Sequence, residues 1–557
     1  MSKRSAPGAW RLTCLSQSET GAPTAGIVAP PCKEGSLPLP AEPEATFVAP
    51  TAVITRPATA WRHELLRVEE SRRALSVLVT AARALSALLS LAVPLVLVRV
   101  FDQTVFGHYK ELFLIAGTAV PLLTMGLPAS LYYLFPRRPD QGQQLLVQSA
   151  AILAGLGIGG AVVLSLAGGT LQRVFHAPLG VYVPWLAVFV ALSVPASLLP
   201  VAAMVDRRAR LVALVLTAFA CLNAAAVIVT TWWARNLAAL LAAVCGVMAL
   251  EAGALLAYLV WRARSGGTTP RAGLVRAQLA YALPFAAAAL VGLLRDRLHA
   301  FYVGSATTAA EFAVYAVGLL QIPAIDLLTQ TVGEVVVLEN TGHFAAGRSL
   351  EARETYHRAA VALAAILFPV FAIAQAFAPE VITCLFGASY AGAVPVFRIN
   401  LLLMPLAILL ASPLLRSTAD LRLMLGADVG SLAVAMVTLL PLVRAFGPAG
   451  AVGSLVAGSA TFALLSSRRN AARLGVRLAR FLPWGQVAGF LGVAGGCAGL
   501  AWVLVHWTPP LWRLGLGPAI AIGLYAVFVL RTGLLPAADR AWVRGLFRQT
   551  GPRGGSV

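Results

Sequence analysis

Fourteen apolar stretches, each about 20 residues long and separated by short loops, constrain this sequence more than any other feature. A helix needs about 20 predominantly apolar residues to cross the hydrocarbon core of a bilayer. Of the 557 residues, 59% are hydrophobic and only 12% are charged, whereas soluble proteins carry about 25% charged residues. The sequence therefore predicts an all-α, polytopic membrane protein. The predicted spans are residues 74–98, 111–135, 145–169, 179–203, 210–233, 236–261, 278–303, 311–337, 358–378, 393–415, 421–443, 447–466, 486–507 and 514–534.

Two stretches near the beginning of two spans are similar to each other, which indicates a repeated architecture. Residues 105–117 (VFGHYKELFLIAG) and 311–323 (EFAVYAVGLLQIP) both contain Phe, a small residue, any residue and then Tyr. Repeated halves with a binding site between them are a common plan of transporters. The predicted organisation is a disordered cytosolic tail (1–60), an interfacial helix (61–73), an N-terminal six-helix half (74–261), a C-terminal six-helix half (278–466), two further helices (486–534) and a basic cytosolic tail (535–557).

The distribution of basic residues predicts the orientation in the membrane. The net charge of +20 comes almost entirely from arginines, and most of these lie between the apolar stretches. If the N-terminus is cytosolic, the arginine-rich loops such as 262–276 and 468–480 are inner loops. Because inner loops carry the excess of Lys and Arg, both termini are predicted to be cytosolic. The basic residues do not form one polar domain, so a nucleic-acid partner is not expected.

Several features argue against an enzyme or a nucleotide-driven pump. The six cysteines are scattered, which predicts neither a disulfide framework nor a metal site. No stretch matches the phosphate-binding pattern G-x-x-x-x-G-K-[ST]. The predicted outer loops are short and leave no room for a catalytic domain. We therefore expect no enzymatic activity, no metal and no cofactor, and we expect an ion gradient of H⁺ or Na⁺, or the substrate gradient itself, to supply the energy.

Charged residues inside predicted spans are the candidate site residues, because such charges are costly in a bilayer. Arg83 lies near the middle of the first span, and Arg295, Asp296 and Arg297 lie in the seventh. Successive helical residues turn by about 100°, so the two arginines of the seventh span point in different directions. One is predicted to bind an anion, and the other to pair with Asp296 or to reach the outer interface. The pattern leaves open which arginine has which role.

The eighth predicted span carries a polar stripe. Asp326, Gln330 and Glu334 are each four residues apart, so they share one face of a helix. Such a face is expected to line a water-filled cavity, with Gln330 near the substrate. Asp326 and Glu334 are candidates for coupling or pairing, and Asp326 for binding the coupling ion. Single charges such as Asp428 and Arg398 are predicted equally to pair within the bundle or to act in transport.

Five stretches resemble conserved patterns of one family. The end of the first span, LVRVFDQTVFGHY, has Arg99 seven residues before Phe106-Gly107-His108-Tyr109. Residues 385–399, LFGASYAGAVPVFRI, contain the pattern Phe-Gly-x-x-Tyr-x-x-Ala-x-Pro-x-x-Arg-Ile. The stretches 126–138, 295–298 and 446–459 follow in the family's order. These motifs resemble the polysaccharide flippases (Wzx-type) of the multidrug/oligosaccharidyl-lipid/polysaccharide (MOP) exporter superfamily, over roughly residues 70–480.

This resemblance implies a function and a set of signature residues. The family flips an undecaprenyl-pyrophosphate-linked oligosaccharide across the bacterial cytoplasmic (inner) membrane by alternating access, for lipopolysaccharide or exopolysaccharide biosynthesis. The implied partners are the lipid-linked oligosaccharide, membrane lipids, and polysaccharide polymerase and chain-length proteins. Thr124 departs from the family, where many members have Asp, and this puts a proton-carrying role there in doubt. The signature residues carried by this sequence are Arg99, Phe106, Gly107, Tyr109, Phe386, Gly387, Tyr390, Pro395 and Arg398.

Two other functions compete with this interpretation. A drug or cation antiporter of the same superfamily would place acidic residues in its cavity, whereas the basic residues within these spans favour an anionic cargo. A membrane polysaccharide polymerase or glycosyltransferase would need a large outer loop or a carboxylate-bearing loop, and the predicted outer loops are short.

Overall fold

The computed structural model describes residues 58–175, 178–264, 272–417, 420–532 and Leu534, and these residues form helices without any strand. Residues 1–57 of the predicted N-terminal tail and the predicted C-terminal tail, 535–557, lie outside the described residues. The predicted interfacial helix 61–73 belongs to a helix that continues through the first span. Its position at a membrane interface stays a prediction.

Among the described residues, the N-terminal half forms nine α-helices. They are α1 (Ala58–Val100), α2 (Gln103–Thr124), α3 (Leu127–Arg137), α4 (Gly142–Leu166), α5 (Gly168–Phe175), α6 (Val183–Ala196), α7 (Leu198–Val205), α8 (Ala209–Trp233) and α9 (Leu237–Ala263).

The C-terminal half and the two additional helices follow. They are α10 (Ala272–Ala306), α11 (Ala309–Gly318), α12 (Pro323–Ala345), α13 (Ser349–Ala376), α14 (Ala378–Phe386), α15 (Val394–Asn400), α16 (Leu403–Ala407), α17 (Ala411–Ser417), α18 (Leu421–Phe446), α19 (Pro448–Arg473), α20 (Trp484–Val505) and α21 (Pro510–Thr532).

The number of membrane spans agrees with the sequence prediction. In the described part of the chain, 12 helical segments are long and apolar enough to cross a membrane, and the number rises to 14 if each of two bent pairs is one span. These 14 segments coincide in order with the predicted ones. The all-α, multi-pass architecture is therefore confirmed.

Several spans are interrupted or bent where the sequence predicts continuous helices, and two of these breaks lie in α2–α3 and α11–α12. The predicted span 311–337 is divided into α11 and α12, which meet at an angle of 51°. The predicted span 111–135 is divided into α2 and α3, because Met125 and Gly126 both have positive φ, 47° and 65°. Interrupted helices at membrane depth are tolerated where the freed backbone groups line a cavity or are buried in protein.

The two halves meet along α2 and α11, which contain the two similar stretches. Gly107 of α2 lies so close to Ala309 of α11 that an added Cβ would be 1.9 Å from the Ala309 carbonyl oxygen. Nearby, Gln103 Nε2 donates to the carbonyl oxygen of Ser389 at 2.8 Å. The rings of Phe106 and Tyr390 meet edge to face, with centroids 6.2 Å apart. We call the end of the bundle formed by these six residues the signature end.

A buried polar cluster provides a second connection between α10 and the N-terminal half. The Gln278 side chain is fully buried and donates to Ser130 Oγ at 3.1 Å and Ser149 Oγ at 2.7 Å. Its carbonyl oxygen accepts a hydrogen bond from Gln148 at 3.0 Å. Because both ends of the Gln278 amide have partners on α3 and α4, the cluster holds the beginning of α10 against these two helices.

The two additional helices pack on the C-terminal half. The α20 helix lies against α13, and α21 lies against α13 and α14. Arg513 of α21 pairs with the buried Glu380 of α14 at 3.2 Å. Gly517 allows α21 to approach the ring of Phe377, since an added Cβ would be 2.3 Å from that ring.

Candidate functional site

A first chamber of about 500 Å³ lies between α1 of the N-terminal half and the break that separates α11 from α12. Its polar lining residues are Arg83, Ser90, Lys110, Gln321, Asp326 and Gln330. The sequence had singled out three of these as site residues, namely Arg83, Asp326 and Gln330. The face of α12 that carries Asp326 and Gln330 therefore lines a cavity, as the polar stripe predicts.

A second chamber of about 480 Å³ lies between α2, α10 and α11. Its polar lining residues are Lys110, Asp296, Arg297, His299, Gln321, Asn400 and Ser459. Lys110 and Gln321 line both the first and the second chamber. The two chambers are thus neighbours that share a lysine and an amide.

A third chamber of about 410 Å³ extends this region within the C-terminal half. It shares Gln330 with the first chamber and Ser459 with the second, and it adds Arg295 and Arg416. The three chambers together contain five basic residues, which are Arg83, Lys110, Arg295, Arg297 and Arg416. Asp296 and Asp326 are the acidic residues that line them. The region is therefore positively charged.

The two arginines of α10, whose roles the sequence left open, each line a chamber but have different surroundings. Arg295 Nε donates to Asp296 Oδ1 at 2.8 Å, and Arg295 Nη1 lies 3.5 Å from Asp428 Oδ1. The same Nη1 donates to Ser431 Oγ at 3.3 Å. The guanidinium of Arg295 is therefore held by α10 and α18. Arg297 is exposed in the second chamber and forms no ion pair with any described residue.

Arg83 and Lys110 are also basic lining residues without an ion pair among the described residues. Arg83 is exposed to the first chamber. The Lys110 ammonium lies 5.3 Å from the centroid of the Phe106 ring, a geometry typical of a cation–π contact. Together with Arg297, these side chains present three positive charges that could bind an anionic group.

Three of the predicted site residues, Glu334, Arg99 and Arg398, lie outside the lining of the three chambers. Glu334 is exposed on α12, beyond the part of the polar stripe that lines a chamber. Arg99 is exposed and donates to the Leu95 carbonyl oxygen at 3.5 Å. Arg398 is exposed, and its carbonyl oxygen accepts a hydrogen bond from Gln375 at 2.8 Å. The structure thus places these three residues apart from the basic region.

The signature residues mostly shape the contact between the two halves. The Phe106 ring packs against Tyr390, and the rings of Phe386 and Tyr390 are 6.3 Å apart. Gly387 has a φ of 99°, a conformation that favours glycine. Phe106 and Phe386 also line the first chamber. These aromatic residues therefore close one side of that chamber while they join the halves.

Several polar lining residues were not predicted from the sequence, and among them Lys110 and Gln321 line two chambers each. Lys110 directly precedes the predicted span 111–135, but it lies within α2, which begins eight positions earlier than that span. It is one of only three lysines in the chain, and a lysine four residues after the Phe of a conserved pattern could have drawn attention to it. Gln321 lies in the break between α11 and α12, which the sequence did not predict.

Comparisons with known proteins agree with this architecture. Residues 96–395 match the model of a family described as "Polysaccharide biosynthesis protein". No curated protein matches the chain. A lipid II flippase MurJ in an inward closed conformation is 10% identical, with a TM-score of 0.65 over 85% of this chain and 100% of that one.

Two further solved structures are similar. An inward-facing multidrug resistance MATE family transporter of the MOP superfamily is 13% identical, with a TM-score of 0.58 over 70% of this chain and 94% of that one. A MOP superfamily transporter from Pyrococcus furiosus Vc1 (DSM3638), described as having a binding pocket of reverse polarity, is 14% identical, with a TM-score of 0.53 over 72% of this chain and 94% of that one. The chain therefore belongs to the polysaccharide biosynthesis protein family and has the fold of the MOP exporter superfamily, in agreement with its resemblance to the Wzx-type flippases.

Proposed function

We propose that this protein flips an undecaprenyl-pyrophosphate-linked oligosaccharide from the inner to the outer leaflet of the bacterial cytoplasmic membrane. The observation that carries the proposal is the basic region between the halves, where Arg83, Lys110 and Arg297 form no ion pair with any described residue. A pyrophosphate carries negative charge, and arginine binds phosphate oxygens through two parallel N–H groups. Gln321, Gln330 and Asn400 supply amides of the kind that bind sugar hydroxyls.

Alternating access is the mechanism that this arrangement supports. The halves are in contact at the signature end through Gly107 and Ala309, and through the rings of Phe106 and Tyr390. In the proposed orientation both termini are cytosolic, so the signature end faces outward and is closed. Rocking of the halves would open this end and close the opposite one. The substrate would then cross the membrane in contact with the protein and not through the hydrocarbon core of the bilayer alone.

Asp326 is the proposed binding site for a coupling H⁺ or Na⁺. Its carboxylate is exposed in the first chamber, on the same face of α12 as Gln330. An ion bound there would alter the charge next to the substrate and would link the two binding events. Glu334 is another acid on α12, and because it does not line any of the three chambers, Asp326 is favoured as the coupling residue.

The substitution Arg297→Lys tests the proposal. It keeps the charge but removes the paired N–H groups, so the rate of flipping is expected to fall about tenfold or more. The measurement uses proteoliposomes that contain a fluorescent undecaprenyl-pyrophosphate oligosaccharide, and it follows quenching by an impermeant reductant. The matched control is Arg444→Lys, because Arg444 is exposed on α18 and does not line the chambers.

Two outcomes would contradict the proposal. If the unaltered protein does not flip this lipid under a proton or sodium gradient but transports a cationic dye, the antiporter function is correct. If Arg297→Lys and Arg444→Lys flip the lipid at the same rate as the unaltered protein, the anion is bound elsewhere.

A further inference from the structure

An apolar groove of about 510 Å³ lies between the α2–α3 break and α10. Eleven of its twelve lining residues are apolar or glycine, and the twelfth is Asp296. The apolar and glycine lining residues are Pro121, Leu122, Met125, Gly126, Leu283, Ala286, Ala287, Ala289, Leu290, Gly292 and Leu293.

The groove exists because two elements are interrupted at the same place. The positive φ angles of Met125 and Gly126 end α2 and redirect the chain into α3. Opposite them, α10 is bent by 41° between its segments Gly273–Leu283 and Ala286–Ala306. The α10 residues that line this groove include three alanines, so large side chains do not fill it.

The groove reaches from the surface of the bundle to the basic region. Leu122 and Leu283 are each 44% exposed, so its outer part is open at the apolar surface of the spans. At its inner end Leu293 and Asp296 also line the second chamber, which contains Arg297 and Lys110. The apolar groove and the positively charged second chamber are therefore neighbours, and one turn of α10 lines both of them.

We propose that this groove binds the hydrocarbon chain of the lipid substrate while its anionic head occupies the second chamber. The proposal rests on the proposed function, and it adds the route by which the chain of the lipid leaves the cavity. A hydrocarbon chain is stabilised by apolar contact alone, which matches a lining with a single carboxylate. The head is stabilised by positive charge, and the two environments lie in the order that such a lipid requires.

The gap between α1 and α12 is the alternative route. The first chamber adjoins that gap, but its lining mixes apolar residues with Arg83, Ser90, Asp326 and Gln330. A hydrocarbon chain there would desolvate several polar groups without giving them partners. The apolar groove beside α10 is therefore a better binding site for the hydrocarbon chain than the gap between α1 and α12.

The test compares two probes that share a pyrophosphate head, farnesyl pyrophosphate and inorganic pyrophosphate. Binding to the purified full chain in nanodiscs is measured with Ala287→Trp, which fills the groove. Farnesyl pyrophosphate is expected to bind at least tenfold more weakly, and inorganic pyrophosphate is expected to bind as before. The matched control is Leu294→Trp, because Leu294 lies on the same helix, is 46% exposed and does not line the groove. If Ala287→Trp does not fold, Ala289→Phe fills the same space.

Two further variants separate the possible outcomes. Arg297→Gln should weaken the binding of both probes, because it removes a positive charge from the second chamber. If it does so, but Ala287→Trp and Leu294→Trp bind farnesyl pyrophosphate equally well, the second chamber binds the pyrophosphate and the groove does not bind the hydrocarbon chain. Ala87→Trp places a large side chain in the first chamber. If this variant selectively weakens the binding of farnesyl pyrophosphate and Ala287→Trp does not, the hydrocarbon chain of the lipid leaves the cavity between α1 and α12. If neither probe binds the unaltered protein, the proposed function fails and the inference fails with it.

Discussion

At the scale of single residues, three adjacent charges in α10 have three different environments. The Asp428 carboxylate is 5% exposed and faces Arg295 from α18. The side chain of Asp296 is 51% exposed, although it lies closer to the same guanidinium. Removal of a buried partner leaves a charge without compensation, whereas an exposed pair contributes little. The sequence analysis paired Asp296 with an arginine, and the structure adds Asp428 as the buried partner.

Asp428→Ala is therefore expected to destabilise the protein by about 3 kcal/mol, because it removes the buried carboxylate that faces Arg295 and leaves only the exposed carboxylate of Asp296 beside the guanidinium. The measurement is the unfolding temperature of the purified protein in detergent. Asp296→Ala serves as the control and should change stability by less than about 1 kcal/mol. Equal losses of stability in the two variants would show that the burial of Asp428 does not make its pair with Arg295 more important for stability than the pair of Asp296.

At the scale of the elements, the approach of α2 to α11 depends on one glycine. An added Cβ at Gly107 would lie 1.9 Å from the backbone oxygen of Ala309, and a backbone atom cannot move aside as a flexible side chain can. Gly107→Ala should therefore force α2 and α11 apart and destabilise the protein by about 1–3 kcal/mol.

The control for this variant is Gly155→Ala in α4, since an added Cβ there has no neighbour within 4 Å. It should be neutral or slightly stabilising, because alanine favours helix over glycine. Unfolding temperatures of the two variants provide the comparison. If Gly107→Ala unfolds at the temperature of Gly155→Ala, the two helices do not require this close contact.

At the scale of the whole molecule, the two halves must separate at the signature end during each proposed transport cycle. Gln103 and Ser389 come from different halves and are joined by a hydrogen bond of 2.8 Å. In a background without the six native cysteines, a disulfide between Gln103→Cys and Ser389→Cys should stop flipping, and a reductant should restore it.

The control for this cross-link is the pair Thr341→Cys and Ser417→Cys, which lies within the C-terminal half, where Thr341 Oγ1 donates to the Ser417 carbonyl oxygen at 3.4 Å. A disulfide there should leave flipping nearly unchanged, because it does not join the two halves. Continued flipping by a fully oxidised Gln103–Ser389 pair would contradict rocking of the halves as the transport motion.

The number and order of the spans could be predicted because the determinant is local. Each span must present about 20 apolar residues to the lipid, and this requirement is visible in any sequence window. The helix breaks could not be predicted in the same way. Met125 is not a glycine, yet it adopts a φ of 47°, and its conformation is stable only because the surrounding helices support it.

The sequence by itself determined the class of the protein and its family, and it singled out several residues of the candidate site. Apolar length, motif order and the rarity of charges within spans singled out Arg83, Arg297, Asp326 and Gln330, all of which line the chambers.

Only the tertiary structure decided which α10 arginine is held by carboxylates, because Asp428 lies 133 residues away from Arg295 along the chain. It also brought Lys110 and Gln321 into the chambers. Helical periodicity shows which residues share a face, but the neighbour of that face is set by the packing of helices distant in sequence.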